Sequence, residues 1–325
     1  MTDPGPYRGK VVLVTGATGV VGSWLVKDLL EGGASVVTLI RDETPESELI
    51  RSGDLLRTTR VRGELVDQRL LQRTLVEHGV HVVFHLGAQT QVVTAEREPF
   101  GTMEANVRGT YNVLESVRVA APAAALVVAS SDKAYGSSDQ LPYTEEHPLA
   151  GRGIYDASKS AADLIALAYG RSYGLRLGIA RCGNIYGGGD VNWERIVPGT
   201  IRSLLRGERP VLRSDDRPRR DYLYVRDAVG AYLALGRAVV DGSVSGEAFN
   251  FGHNAPVSVL EIVSELGRIT GREDLEPVVL DEAPLEIPDQ YLDASKAEQR
   301  LGWRPAFGLH DGLVETVDWY RSLLE

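Results

Sequence analysis

The sequence holds a single cysteine among its 325 residues. One thiol, Cys182, cannot close an intrachain disulfide and supplies no Cys/His framework for a metal, so no metal site is expected, and a reducing, cytoplasmic setting is. Positive charge is also short, with 35 Lys and Arg against 45 Asp and Glu and a formal net charge of −10. Nucleic acids and anionic membranes are held through surplus Lys and Arg, so neither is an expected partner. An anionic substrate therefore requires a local basic pocket. No apolar run approaches the length of a membrane span, and the polar, Pro/Gly-rich opening residues do not read as a secretory signal. Internal repeats and low-complexity segments are missing too. Lysine is scarce, five in all, so each lysine that falls in a motif stands out.

What is present is the composition of a folded chain, with 43% apolar and 25% charged residues. Short β-branched runs alternate with longer amphipathic segments, the pattern of βαβ units. Strands are expected at Val11–Thr15, 36–40, 60–63, Val82–His85, 126–130 and 175–181. Helices are expected at 22–31, 67–78, 106–120 and 156–173. Together these predict an α/β fold, a doubly wound parallel sheet of Rossmann type over residues 8–181. A smaller mixed α/β substrate lobe is expected over 182–325, carried on loops in the Gly-rich stretch 183–190, the Arg-rich stretch 202–220 and the Pro-punctuated stretch 276–290. Residues 248–252 are expected to return to the main sheet.

After the first strand comes Gly16-Ala17-Thr18-Gly19-Val20-Val21-Gly22, a GxxGxxG spacing at a strand-to-helix turn. Glycines there permit tight backbone angles and bring N–H groups close to a pyrophosphate, whose charge suits the helix N-terminus. Gly16, Thr18, Gly19, Val20 and Gly22 are thus the expected cofactor cradle. Arg41 and Asp42 follow the second strand. An acid there accepts ribose hydroxyls and an arginine suits a 2′-phosphate, so the pair leaves both NAD and NADP open. Asp67 has two readings, contact with the adenine or the N-cap of a helix.

Tyr155 and Lys159 stand four residues apart and share one helix face. An ammonium at Lys159 is expected to hold a nicotinamide ribose and to lower the pKa of the Tyr155 phenol, making a base for a sugar hydroxyl. Ser131, Asp132 and Lys133 follow the fifth strand at a carboxyl end, where open α/β sheets bind ligands. Ser131 is expected to hydrogen-bond the reacting hydroxyl and Asp132 to act as a general acid. Arg220, next to Arg219, and Asn184 are candidates for a substrate diphosphate, although the arginines read equally as a solvated cluster.

These motifs, with His85-Leu86-Gly87-Ala88-Gln89, Asn106-Val107-Arg108-Gly109-Thr110 and Arg220-Asp221-Tyr222, resemble the extended short-chain dehydrogenase/reductase family of nucleotide-sugar epimerases and dehydratases. Ser131-Asp132-Lys133-Ala134-Tyr135-Gly136 and Gly187-Gly188-Gly189-Asp190 look most like its CDP-glucose 4,6-dehydratases. The resemblance implies a tightly held NAD that is reduced and reoxidised in each turnover, contacts to it from Leu86 and Ala88, and contact of Gln89 with a nucleotide-diphosphate sugar. It also implies a homodimer through the helices 106–120 and 156–173. In a 4,6-dehydratase Tyr155 takes the O4 proton as C4 is oxidised, Asp132 protonates the departing C6 hydroxyl, and Lys133 assists at C5. A C4-epimerase of UDP-hexoses or uronates is the alternative, and it asks little of Asp132. A non-catalytic cofactor-binding sensor is the reading of a different class, and it has no use for the Tyr155–Lys159 pair.

Overall fold

The computed structural model describes residues 5–212, 218–280 and 289–324. The apolar runs form β1 (Val11–Thr15), β2 (Ser35–Ile40), β3 (Thr59–Arg62), β4 (Val82–His85), β5 (Ala125–Ser131), β6 (Leu177–Cys182) and β7 (Glu247–Phe251). All seven lie parallel in one sheet in the order β7-β6-β5-β4-β1-β2-β3. From β1 the chain winds outward to β3, then crosses back to β4 and winds the other way. The reversal between β1 and β4 leaves a crevice at the carboxyl ends of the strands.

β1 and β4 have the expected bounds. β6 starts two residues later than expected, because its limits follow its ladder with β5, from Leu126 opposite Leu177 to Ser131 opposite Cys182. Apolarity alone does not mark where a ladder begins. The expected return of the chain to the sheet is β7, which pairs with β6 along its whole length.

Eight longer helices pack around the strands: α1 (Val20–Glu31), α2 (Gln68–Glu77), α3 (Gly109–Ala120), α4 (Ile154–Tyr173), α5 (Ile196–Leu205), α6 (Val225–Asp241), α7 (Val259–Thr270) and α8 (Leu309–Leu324). α3 is preceded by a π-helical turn, Glu104–Arg108, where a plain helical start is expected from sequence. The second half holds more helix than a loop-carried lobe. α7, for example, opens on a capping box in which Ser258 and Glu261 satisfy each other's backbone N–H. Residues 213–217 of the Arg-rich stretch and 281–288 of the Pro-punctuated stretch lie outside the described residues.

Alternation along β1 divides the core. Val12 and Val14 pack with Leu25, Leu29 and Val229 on one face. Leu13 packs with Leu71, Val83 and Leu114 on the other. Burying each such side chain is worth roughly 1.5–3 kcal/mol, and strands covered on both faces explain the near-continuous apolar runs. Two small sheets bring the second half to the crevice. Asn184–Tyr186 pairs with Tyr222–Tyr224, and Arg219–Arg220 lies between Val257–Ser258 and Asp289–Gln290. Among the described residues no helix is long and apolar enough to cross a membrane.

Candidate active site

A cleft of about 2340 Å³ opens at the carboxyl ends of the strands. Single small-molecule pockets run to roughly 300–1,000 Å³, so this one has room for more than one ligand. Gly16, Thr18, Gly19, Val20 and Gly22 line one end, with Arg41, Asp42, Leu86 and Ala88 beside them. The fit to a dinucleotide is set by backbone approach. Gly16 has φ +71°, and a Cβ there would stand 2.7 Å from the Gly87 nitrogen. A Cβ on Gly22 would stand 2.1 Å from the Gly16 carbonyl oxygen, so the turn closes only with glycine. α1 begins at Val20, two residues earlier than expected, and its cap residue, Gly19, makes no side-chain capping bond. The first-turn amides are left for an anion.

Asp67 takes the second of its two readings, and the Gln89 side chain is engaged by a neighbour rather than on the cleft wall. Asp67 is absent from the cleft wall and caps α2, its carboxylate accepting from the Leu70 N–H at 3.0 Å. Leu65 and Val66 line the cleft at that point instead. The Gln89 side chain is folded onto Gln91, accepting from its N–H at 2.5 Å and donating to its carbonyl at 2.9 Å. Thr90 and Gln91 take its place on the wall. Arg41 and Asp42 pair with each other at 2.6 Å at the rim, both exposed.

The chemistry is concentrated where β5 and α4 meet. Tyr155 sits in the first turn of α4 and is 9% exposed, and Lys159 lies one turn on and is 6% exposed. Lys159 donates to the Ala129 carbonyl at 3.3 Å, and its Nζ is 6.0 Å from the Tyr155 ring centre. The expected lowering of the phenol by this lysine is not what the protein alone produces. Burial pushes the Tyr155 phenol up to about 12, and the charge that opposes this is that of Arg195, helped by the Ser131 hydroxyl. Burial likewise brings the Lys159 ammonium down to about 8.

β5 ends at Ser131, and a tight 3-10 turn, Asp132–Tyr135, follows. Ser131 donates to Asp132 Oδ1 at 2.9 Å and accepts from the Lys133 N–H at 3.2 Å. Asp132 is 1% exposed and does not itself line the cleft, although its neighbours Ser131 and Lys133 do, and its Oδ2 has no hydrogen-bond partner among the described residues. Burial drives its carboxyl pKa up, against the pull of Lys133, Ser131 and Arg220. A carboxyl so placed favours the protonated form, which is what a general acid needs.

Sequence reading missed Arg195. It lines the cleft at the start of α5, held at 3.0 Å by Asp190, whose backbone carbonyl accepts from the Tyr320 hydroxyl. Nothing in the local pattern around Trp193-Glu194-Arg195 marks it, since its aim comes from an acid five residues back in a glycine-rich turn. Arg195, Arg202, Arg220, Lys133 and Asn184 together furnish the local basic pocket that an acidic protein needs for an anionic substrate. Of the arginine pair, Arg220 is buried against the cleft and Arg219 is the solvated one.

A glycine turn built for a pyrophosphate, a buried Tyr–Lys pair and a buried acid at the carboxyl ends of one parallel sheet define an NAD-type oxidoreductive enzyme of the extended short-chain dehydrogenase/reductase class. Comparison with known proteins narrows that class. Residues 13–316 match the family model for GDP-mannose 4,6 dehydratase, and the chain belongs to that family. It is 31% identical to a CDP-glucose 4,6-dehydratase of Salmonella typhimurium over 99% of this chain and 93% of that one. Among solved structures, a dTDP-glucose 4,6-dehydratase of Streptomyces venezuelae with NAD bound superposes with a TM-score of 0.86, at 30% identity over 96% of this chain and 97% of that one. A UDP-glucose 4-epimerase of Thermotoga maritima with UDP-glucose superposes with a TM-score of 0.87, at 28% identity over 97% of this chain and 100% of that one.

Proposed function

We propose that this chain is an NAD-dependent nucleotide-sugar 4,6-dehydratase, with CDP-hexoses the first substrates to try. The observation that carries the reading is Asp132, a buried carboxyl beside Tyr155 whose burial raises its hold on a proton. An epimerase, which returns the sugar to its original oxidation state at C4 without losing water, has no work for such a group.

NAD would be held by the Gly16–Gly22 turn with Leu86 and Ala88, and its ribose hydroxyls by Asp42 and Lys159; when bound it would supply a hydride acceptor at C4 and, once water has left, return that hydride to C6 while a proton goes back to C5, so that C4 stays a ketone. Tyr155 accepts the O4 proton, and the Ser131 hydroxyl orients O4 toward it. Oxidation at C4 acidifies the neighbouring C5–H, and Lys133 sits beside Asp132 to take that proton or position the water that does. Asp132 passes its proton to the C6 hydroxyl, which leaves as water. Arg220, Arg195 and Asn184 grip the diphosphate and keep the sugar in register with these groups.

The apolar side chains left exposed on α3 and α4, among them Val119, Leu164 (53%) and Tyr173 (59%), support a homodimer through these two helices. Light scattering on the purified protein is expected to give twice the chain mass. The buried, unpaired Cys182 suits a reducing cytoplasm. The reaction is tested by incubation with CDP-, dTDP-, GDP- and UDP-hexoses and mass spectrometry. A product lighter by one water is expected, whereas an isobaric product epimeric at C4 would favour the epimerase.

A further inference from the structure

His85 closes β4 inside the protein, 2% exposed, where a strand buried on both faces has little use for a polar ring. Its Nδ1 lies 2.8 Å from the Thr15 hydroxyl and its Nε2 lies 3.1 Å from the Thr110 hydroxyl. For a neutral ring the partners of these groups leave one arrangement of protons. Thr110 gives its only hydroxyl hydrogen to the Asn106 carbonyl at 2.6 Å, since a carbonyl accepts and never donates. Thr110 must then accept from His85, which puts the ring hydrogen on Nε2. Nδ1 is left bare and accepts from Thr15. Thr15 in turn accepts from the Gly87 N–H at 3.1 Å.

The chain continues beyond Asn106. Its side chain clamps the Gln89 backbone, accepting from the N–H at 2.7 Å and donating to the carbonyl at 2.9 Å. The same amide nitrogen donates to Ser158 at 2.9 Å, and Ser158 donates to the Tyr155 carbonyl at 2.6 Å. Apart from the two-way clamp on Gln89, the donations run one way from Gly87 to the Asn106 carbonyl, and one way again from the Asn106 side chain to Tyr155. Successive hydrogen bonds of one polarity reinforce each other in a dry interior. Gly87 also sits where the two cofactor loops touch, since a Cβ on Gly16 would strike its nitrogen.

We propose that His85 is a positioning residue: as the neutral Nε2–H tautomer it couples the loops that cradle the cofactor to the helix that carries the Tyr155 phenol. This rests on the proposed roles of that cradle and that phenol. The ring stays neutral because burial, and then the nearby Lys159 charge, bring its pKa down to about 3. One half of the chain, through Nδ1 and Thr15, sets the Gly16–Gly87 junction. The other half, through Nε2 and Thr110, sets the π-helical turn, Asn106 and α4.

The halves separate by substitution. His85→Asn keeps an acceptor near Nδ1, and His85→Gln keeps a donor near Nε2. His85→Gln is expected to weaken NAD binding by about tenfold, the scale of one hydrogen bond, with kcat at saturating NAD changed less than the affinity. His85→Asn is expected to lower kcat by about tenfold, with NAD affinity changed less than kcat. Nitrogen-15 NMR of the unsubstituted protein reads the tautomer directly and does not depend on either variant folding. A neutral Nε2–H ring that does not titrate between about pH 5 and 9 is expected. A charged ring, an Nδ1–H tautomer, or variants that alter thermal stability alone would overturn the assignment. The NMR and the NAD titration need no sugar, so a failure to dehydrate any hexose would count against the proposed reaction and leave both of these results standing.

Discussion

Two groups of buried polar side chains stand back to back across β5, β6 and α4, and they are built on opposite plans. Behind the cleft, Arg181 grips Asp163 with two bonds of 2.8 Å and donates to the Tyr135 hydroxyl at 2.9 Å. Tyr135 donates to Asn250 at 2.7 Å, and Asn250 donates to the Tyr143 carbonyl at 2.9 Å. Toward the cleft, Asp132 Oδ2 and the Ser130 hydroxyl are just as buried and have no partner among the described residues. Leaving a buried polar atom unpaired costs about 1–3 kcal/mol. Of these two clusters the one behind the cleft avoids that cost and the one at the cleft bears it, as the Ser47 and Ser116 hydroxyls also do away from the cleft. The contrast separates a carboxyl fully engaged by its neighbours, Asp163, from one left free to change protonation, Asp132, which is the role proposed for it, although both lie deep in the same fold.

The contrast breaks most visibly at Asp163. Asp163→Ala strands a buried arginine, and a loss of about 3–5 kcal/mol in urea unfolding is expected. A loss under about 1 kcal/mol would mean that the pair is not the brace described. Asp132→Asn should do the reverse, lowering dehydration by roughly 10²-fold in a mass-spectrometric rate assay while leaving the protein at least as stable near neutrality. The sign follows from linkage. A carboxyl whose folded pKa is raised contributes stability below its unfolded pKa and loses it as pH rises through the folded value, so the stability gain of the variant should shrink as pH falls toward 4.

Arg195→Met sharpens the picture on the cleft side. It removes the charge that opposes the burial of the phenol, so turnover near neutrality is expected to fall about tenfold and to recover in part at higher pH. An unchanged pH profile would count against it. The smallest effect lies at His85, the depressed case. Its contribution to stability is present above the unfolded value of 6.5 and is lost as pH falls toward the folded value of about 3. Unfolding free energy is expected to drop by about 1 kcal/mol more between pH 8 and 5.5 in the parent than in His85→Gln.

How much of this was legible in the sequence follows from where each signal resides. β1, β4 and the glycine turn are local, since an apolar run and three glycines state their own geometry. Tyr155 and Lys159 are legible because four residues on a helix are neighbours. Ser131 and Asp132 are legible as the end of a strand. The electrostatics are not, because desolvation of the phenol is a property of everything packed over it, and Arg195 is aimed at the cleft by an acid five residues back in the same loop. Asp67 and Gln89 show the same limit from the other side. Both carry suitable chemistry at a suitable place in the chain, and the backbone nearest each one claims it. The helices of the second half are partly legible: the Ser258–Glu261 box announces α7, whereas α5 starts at Ile196 with Arg195 before it making no capping bond to announce it.

The protonation of Asp132 in the folded enzyme is the most direct test. Infrared difference spectra of the parent and Asp132→Asn near pH 7 are expected to show the loss of a protonated-carboxyl C=O band in the variant. Loss of carboxylate bands alone would show the group ionised, and Asp132 would then have no proton to give the departing hydroxyl.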